Sequence, residues 1–229
     1  RRIGRLGSGE GAVGLAARVR AMTRAKICGL TSRGDLELAV EAGADAIGLT
    51  VDVDVDTPRE IDVELAAELA DATPPFVATV LVTMPDDIGD TVELADRIRP
   101  DVVQIHGDVG PNSIETLSEN VRGAVIKAVS PDEARRYESV VDALLVDSVD
   151  ESGAGGTGET HDWERARELV DGLTVPVVLA GGLTPENVSE AVETVRHFAV
   201  DVASGVEARP GTKDPEAVAS FVRRAGGLP

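Results

Sequence analysis

A chain of 229 residues with 42% hydrophobic content is long enough for one α/β domain, and only 2% aromatic residues makes its core one of Val, Ala, Leu and Ile. The single cysteine excludes an intrachain disulfide and fits a reducing cytoplasm, and no apolar run approaches the roughly 20 residues of a membrane-spanning helix. A formal charge of −19, from 41 acidic against 22 basic residues, repels nucleic acid and anionic membranes, so neither is expected as a partner.

Only Lys26, Lys127 and Lys213 are lysines among the basic residues. An acidic, lysine-poor surface suits a protein kept soluble at high salt, where repulsion is screened within a few Å. It points to a halophilic source rather than an ordinary acidic cytoplasmic protein. The histidines, His106, His161 and His197, are scattered and offer no zinc-type cluster.

Residues 1–21 hold five arginines and one glutamate and lack the continuous apolar middle of a secretory signal. They read as a disordered extension ahead of a start at Met22, with a single domain over 22–229. From Ala25 the chain alternates. Strand-like runs occur at Ala25–Leu30, Ala46–Val51, Phe76–Val82, Val102–Gly107, Ala124–Ser130, Ala143–Ser148, Val175–Gly182 and Ala199–Gly205. Ser130-Pro131, Thr184-Pro185 and Asp214-Pro215, each followed by an acid, mark helix starts. Strand alternating with helix predicts a parallel sheet with right-handed crossovers. Eight such units in about 200 residues predict an α/β fold of the single (β/α)8 TIM-barrel class. An open doubly wound sheet is the competing architecture, although no Gly-x-Gly-x-x-Gly turn follows the first strand.

Strands covered on both faces should be almost wholly apolar, and several here are not. Side chains alternate along a strand, so Lys26 shares a face with Cys28, and Gln104 with His106. Lys127, Asp147 and Asp201 each lie opposite their immediate apolar neighbours. If the apolar faces pack on helices, all seven residues point into the barrel near strand C-terminal ends, where barrel active sites lie. Two lysines and two aspartates also suit a structural ion-pair network, and Cys28 alone suits a small buried hydrophobe. The set as a whole, with its thiol, suggests acid–base chemistry on a small anionic molecule. Glycine pairs in three successive loops add a possible phosphate cradle: 153–158, Gly181-Gly182 and Ser204-Gly205.

From about Ala25 to Leu228 the chain resembles the phosphoribosylanthranilate isomerase family of tryptophan biosynthesis. The resemblance rests on Lys-Ile-Cys-Gly-Leu-Thr at 26–31, Val-Gln-Ile-His-Gly at 103–107 and Ile-Lys-Ala at 126–128. It continues through Gly-Gly-Thr-Gly at 155–158 with Asp162-Trp163, and Ala-Gly-Gly-Leu-Thr-Pro-Glu-Asn-Val at 180–188. Val-Asp-Val-Ala-Ser-Gly-Val-Glu at 200–207, followed by Pro210-Gly211, completes it. The resemblance implies an Amadori rearrangement of N-(5′-phosphoribosyl)anthranilate, without metal or cofactor, in a cytoplasmic monomer or homodimer whose only partner is this phosphosugar.

It further implies Cys28 as general base and Asp147 as general acid, so the thiol must be biased toward thiolate while the carboxyl keeps its proton. Lys26 on the same face is a source of that bias. The resemblance also places Lys26, Arg59, His106 and Asp201 at the substrate, with Asp201 near the anthranilate amine. The phosphate falls on Gly155, Gly156, Gly181, Gly182, Ser204 and Gly205. Two departures stand out: Leu49-Thr50-Val51 and an acidic 52–56 segment replace an aromatic residue and a short lysine loop, and Glu159 replaces a lysine. Another phosphosugar barrel of the tryptophan or histidine pathways, such as indole-glycerol-phosphate synthase, would call for a more lysine- and glutamate-based site and have no use for Cys28. A non-catalytic phosphosugar-binding barrel is the remaining reading.

Overall fold

The computed structural model describes residues 23–147, 163–195 and 198–226. The expected extension over 1–21 and the glycine run over 153–158 lie outside them. Eight parallel strands close in chain order: β1 (Arg24–Cys28), β2 (Ala46–Thr50), β3 (Ala78–Thr83), β4 (Val102–Ile105), β5 (Ala124–Val129), β6 (Ala143–Asp147), β7 (Val177–Ala180) and β8 (Ala199–Val202). Each strand is followed in the chain by a helix. These are α1 (Arg33–Glu41), α2 (Val63–Ala72), α3 (Ile88–Ile98), α4 (Pro111–Asn120), α5 (Ala134–Tyr137), α6 (Trp163–Gly172), α7 (Val188–Val195) and α8 (Pro215–Ala225). Pairing of β1 with β8 closes the barrel and removes both sheet edges, which excludes the doubly wound alternative. A short hairpin, β9 (Glu207–Arg209) and β10 (Thr212–Lys213), stands between β8 and α8. Among the described residues no helix is long and apolar enough to cross a membrane.

The strands are shorter than the apolar runs because backbone geometry ends them. Gly29 turns with φ +71°, and Gly181 and Gly182 with φ +89° and +59°, outside the extended region. Phe76, with φ +74°, delays β3 by two residues. Helix starts follow capping chemistry. Asp62 accepts from Leu65 N at 2.7 Å, and Asp214 accepts from Ala217 N at 2.9 Å with Pro215 in the first turn, as expected. The other two expected starts are displaced. Ser130 Oγ instead donates to Glu133 at 3.2 Å and α5 begins at Ala134; Asn187 Oδ1 accepts from Thr184 N at 2.8 Å and α7 begins at Val188.

Apolar side chains form two layers. Ile27, Leu49, Leu81, Ile105, Leu144 and Val200 face outward onto Leu36, Leu69, Ile114, Val188 and Phe221 of the helices. Removing any one of these fully buried side chains from water is worth about 1.5–3 kcal/mol. Inside, Cys28 packs with Val80 and Val82, and Leu145 with Val178, Ala180 and Ala199. The predicted alternation holds on β1, β4, β6 and β8. It fails on β5, where Lys127 shares the outward face with Val125 and Val129 while Ile126 and Ala128 line the interior. Lys127 therefore does not point into the barrel. Its stem runs outside the sheet and its ammonium reaches the carbonyls of Gly107 and Ala128, both at 2.8 Å, and of Ile105 at 3.4 Å. Three donors meet three acceptors, which is why the charge is tolerated there.

Candidate active site

The interior of β1 and β8 carries one ion pair and one thiol. Lys26 is in register with Asp201, and its Nζ donates to Asp201 Oδ1 at 3.0 Å, with both side chains at most 10% exposed. Burial lowers the lysine's pKa, but Asp201 and Cys28 outweigh it and hold the ammonium above its ordinary value. Cys28, one residue pair further up β1, is 8% exposed. Burial raises its pKa, Lys26 opposes that, Asp201 reinforces it and Lys213 opposes it; the balance lies above the usual thiol range. The bias expected from Lys26 thus has the expected sign, but desolvation overrides it, and the resting side chain is a thiol. Gly48 lies directly opposite on β2, and a Cβ there would sit 2.6 Å from Cys28 Sγ. The missing side chain is the space the sulfur occupies.

On β4, Gln104 faces inward and His106 follows the strand end, with Nε2 of each 2.7 Å apart. Burial first, then Lys26 and Lys127, push the imidazole down to about 4, so it is neutral. The buried Oε1 of Gln104 has no hydrogen-bond partner among the described residues. Lys127 is pushed down to about 8 by burial, against the pull of Glu133 and Asp108. A cleft of about 460 Å³ opens here, lined by His106, Asp108, Lys127, Tyr137 and Asp147 among others. Asp147 ends β6 on the interior face, with Ala143 and Leu145. Cys28 does not line this cleft, because β1 is three strands away round the barrel. The register connects them: Asp147 pairs with Ala180, the residue after Leu179, which pairs with Val200; Asp201 follows and pairs with Lys26.

Arg59 is set by the acidic loop. Thr83 Oγ1 and Met84 N both donate to the carbonyl of Asp52, and Thr50 bridges to Glu60, so the longer loop folds back onto β2 and β3. This lays the Arg59 stem over Gly29, where a Cβ would approach Arg59 Cδ to 2.7 Å. The guanidinium is bidentate on Glu207, Nε and Nη2 each 2.8 Å from a carboxylate oxygen. Glu207 also accepts from Lys213 Nζ at 3.0 Å. Burial tends to raise the glutamate's pKa, but the hydrogen bonds from Arg59 and Lys213 outweigh it and hold the carboxylate below its usual range. Sequence patterning does not single out Glu207 or Lys213. The available signal was scarcity: all three lysines of this lysine-poor chain are buried.

The loops after β7 and β8 meet. A Cβ on Gly205 would lie 1.9 Å from the carbonyl oxygen of Leu183, so only glycine permits the contact. Asn187 Nδ2 donates to the carbonyl of Gly182 at 3.0 Å, and Gly182 and Ser204 are exposed at this junction. Gly155, Gly156 and Glu159 lie outside the described residues.

Residues 25–224 match the family model for N-(5′-phosphoribosyl)anthranilate (PRA) isomerase. The N-(5′-phosphoribosyl)anthranilate isomerase of Natronomonas pharaonis, a halophilic archaeon, is 60% identical over 206 residues, covering 90% of this chain and 99% of that protein. The crystal structure of the Thermotoga maritima enzyme superposes with a TM-score of 0.82 at 36% identity, covering 90% of this chain and all of the other. A PRA isomerase in complex with reduced 1-(o-carboxyphenylamino)-1-deoxyribulose 5-phosphate follows at a TM-score of 0.78 and 34% identity, with the same coverage. A family-model match over the whole barrel, together with 60% identity to a relative covered almost end to end, shows that the chain belongs to the PRA isomerase family.

Proposed function

We propose that Cys28 is the general base and Asp147 the general acid of this family member. The enzyme is an isomerase of tryptophan biosynthesis, converting N-(5′-phosphoribosyl)anthranilate into 1-(2-carboxyphenylamino)-1-deoxyribulose 5-phosphate. The observation that carries the assignment is that a buried thiol and a carboxyl end β1 and β6 on the interior face, with the Lys26–Asp201 pair in register between them. In the reaction Asp147 gives its proton to the ribose ring oxygen as the C1–O bond breaks, leaving an iminium and a free hydroxyl. The Cys28 thiolate, formed when the resting thiol gives up its proton to solvent, then takes the proton from C2, and the electron pair neutralises the iminium to an enolamine. Return of a proton to C1, with loss of the C2 hydroxyl proton, yields the ketone.

Neutral His106 and the Lys26–Asp201 pair lie at the same interior, which supports substrate contacts for all three. Arg59, whose stem lies against Gly29 just past the end of β1, is the cation assigned to the anthranilate carboxylate. The junction of Gly181, Gly182, Ser204 and Gly205 suits the phosphate, held by backbone N–H groups. The relative that binds a reduced aminodeoxyribulose phosphate supports this substrate class. A cytoplasmic monomer or homodimer completes the proposal. Turnover of phosphoribosylanthranilate by Cys28→Ser and Asp147→Asn is the test. Each should lower kcat by on the order of a hundredfold or more with the fold intact. Full activity in both would remove the assignment.

A further inference from the structure

We propose that Glu207 is a positioning residue that holds Arg59 at the substrate, and that Lys213 in turn holds Glu207. The inference rests on the assignment of Arg59 to the anthranilate carboxylate. Three observations carry it. Both carboxylate oxygens of Glu207 are engaged by Arg59 in a fork at 2.8 Å, the geometry that fixes a guanidinium in plane as well as in place. Glu207 is only 5% exposed in its side chain, and Lys213, at 0%, donates at 3.0 Å to the same Oε1 that accepts from Arg59 Nε. Lys213 Nζ also donates to the carbonyl of Ala203 at 3.1 Å, and Ala203 packs against the cluster of Cys28, Val80 and Val82. The β9–β10 hairpin thus ties the substrate arginine to the wall of the base's own compartment.

Charge decides what the cluster does. One carboxylate between two cations leaves a net positive unit, so the arginine is held without being neutralised. The exposed quarter of the Arg59 side chain remains available to an incoming carboxylate. Removing the negative charge frees the guanidinium to swing off Gly29, against which its stem lies. A displacement of about 1 Å withdraws the guanidinium from the place where the substrate carboxylate would meet it.

The test is a double-mutant cycle with Glu207→Gln and Arg59→Met, read as KM and kcat for phosphoribosylanthranilate in molar KCl. Glu207→Gln should raise KM by about tenfold or more while kcat falls by less than about threefold, because binding is lost equally from ground and transition states. In the Arg59→Met background the same change should do nothing further to KM. Glu207→Asp, which keeps the charge, should restore part of the loss. A purely structural role would lower the unfolding temperature and leave KM unchanged. An unchanged or lowered KM in Glu207→Gln, or effects that add in the double variant, overturns the proposal. An unchanged KM in Arg59→Met alone sinks the assignment of Arg59, and this inference with it.

Discussion

Substituting Gly48 by alanine tests the base through a residue that carries no chemistry. The added methyl would lie 2.6 Å from Cys28 Sγ, about 0.8 Å inside the 3.4 Å at which ordinary contact begins. Rotation of the thiol does not relieve this, because Cα and Cβ of Cys28 lie 3.1 and 3.2 Å from the same point. Nor can β2 step aside cheaply, since the carbonyl of Gly48 accepts from both Gly29 and Leu30 at 3.0 and 3.1 Å. The sulfur must therefore move by the better part of an ångström. Overpacking of this kind costs about 1–3 kcal/mol of stability, while a misplaced base loses on the order of a hundredfold in rate. Measured side by side, kcat for phosphoribosylanthranilate should fall about a hundredfold in Gly48→Ala while the unfolding temperature drops only modestly. Activity at the wild-type level in a stably folded variant would show that the position of the thiol is immaterial, and so that Cys28 is not the base.

Since Cys28 is the only cysteine, its alkylation by iodoacetamide reports one titration. The thiolate reacts and its pKa lies above the usual thiol range, so the rate should climb about tenfold per pH unit through neutrality without levelling off. A plateau near pH 7 would mean that Lys26 prevails over desolvation. Asp201→Asn leaves the Lys26 ammonium buried without its counter-charge, and denaturant titration should show a loss of about 3–5 kcal/mol; a neutral result would mean that water already solvates the pair. With a charge of −19, dilution from molar to about 0.1 M KCl lengthens the range of self-repulsion from about 3 to about 10 Å. Each kcal/mol so lost lowers the unfolding temperature by about 2–4 °C in a chain of this size, and a temperature independent of salt would contradict the reading of the acidic surface.

The barrel was legible because its outward faces are apolar at period two and its turns carry glycines that geometry requires. Cys28, Asp147 and Asp201 were legible for the same reason in reverse, as polar interruptions that alternation sends inward. Lys127 shows where that logic stops. Both neighbours on each side are apolar, so the pattern at 125–128 does not say which face is which, and a long side chain can leave the outer face to reach carbonyls at the strand end. The strength of desolvation at Cys28 was equally hidden, because it depends on Val80 and Val82 from another strand. The fork between Arg59 and Glu207 spans 148 positions and has no local periodicity to announce it.

The burial of Lys26, Lys127 and Lys213 has a practical consequence for handling the molecule. Every primary amine carried by a side chain is inside, engaged with carboxylates or carbonyls, and the exposed positive charge of the folded surface belongs to arginine. Acylating dyes, biotin esters and aldehyde-activated resins therefore find no handle at Lys26 or Lys213 on the native barrel, and only Lys127, in the wall of the cleft, stands near solvent. Labelling at Lys26 or Lys213 reports that the fold has opened.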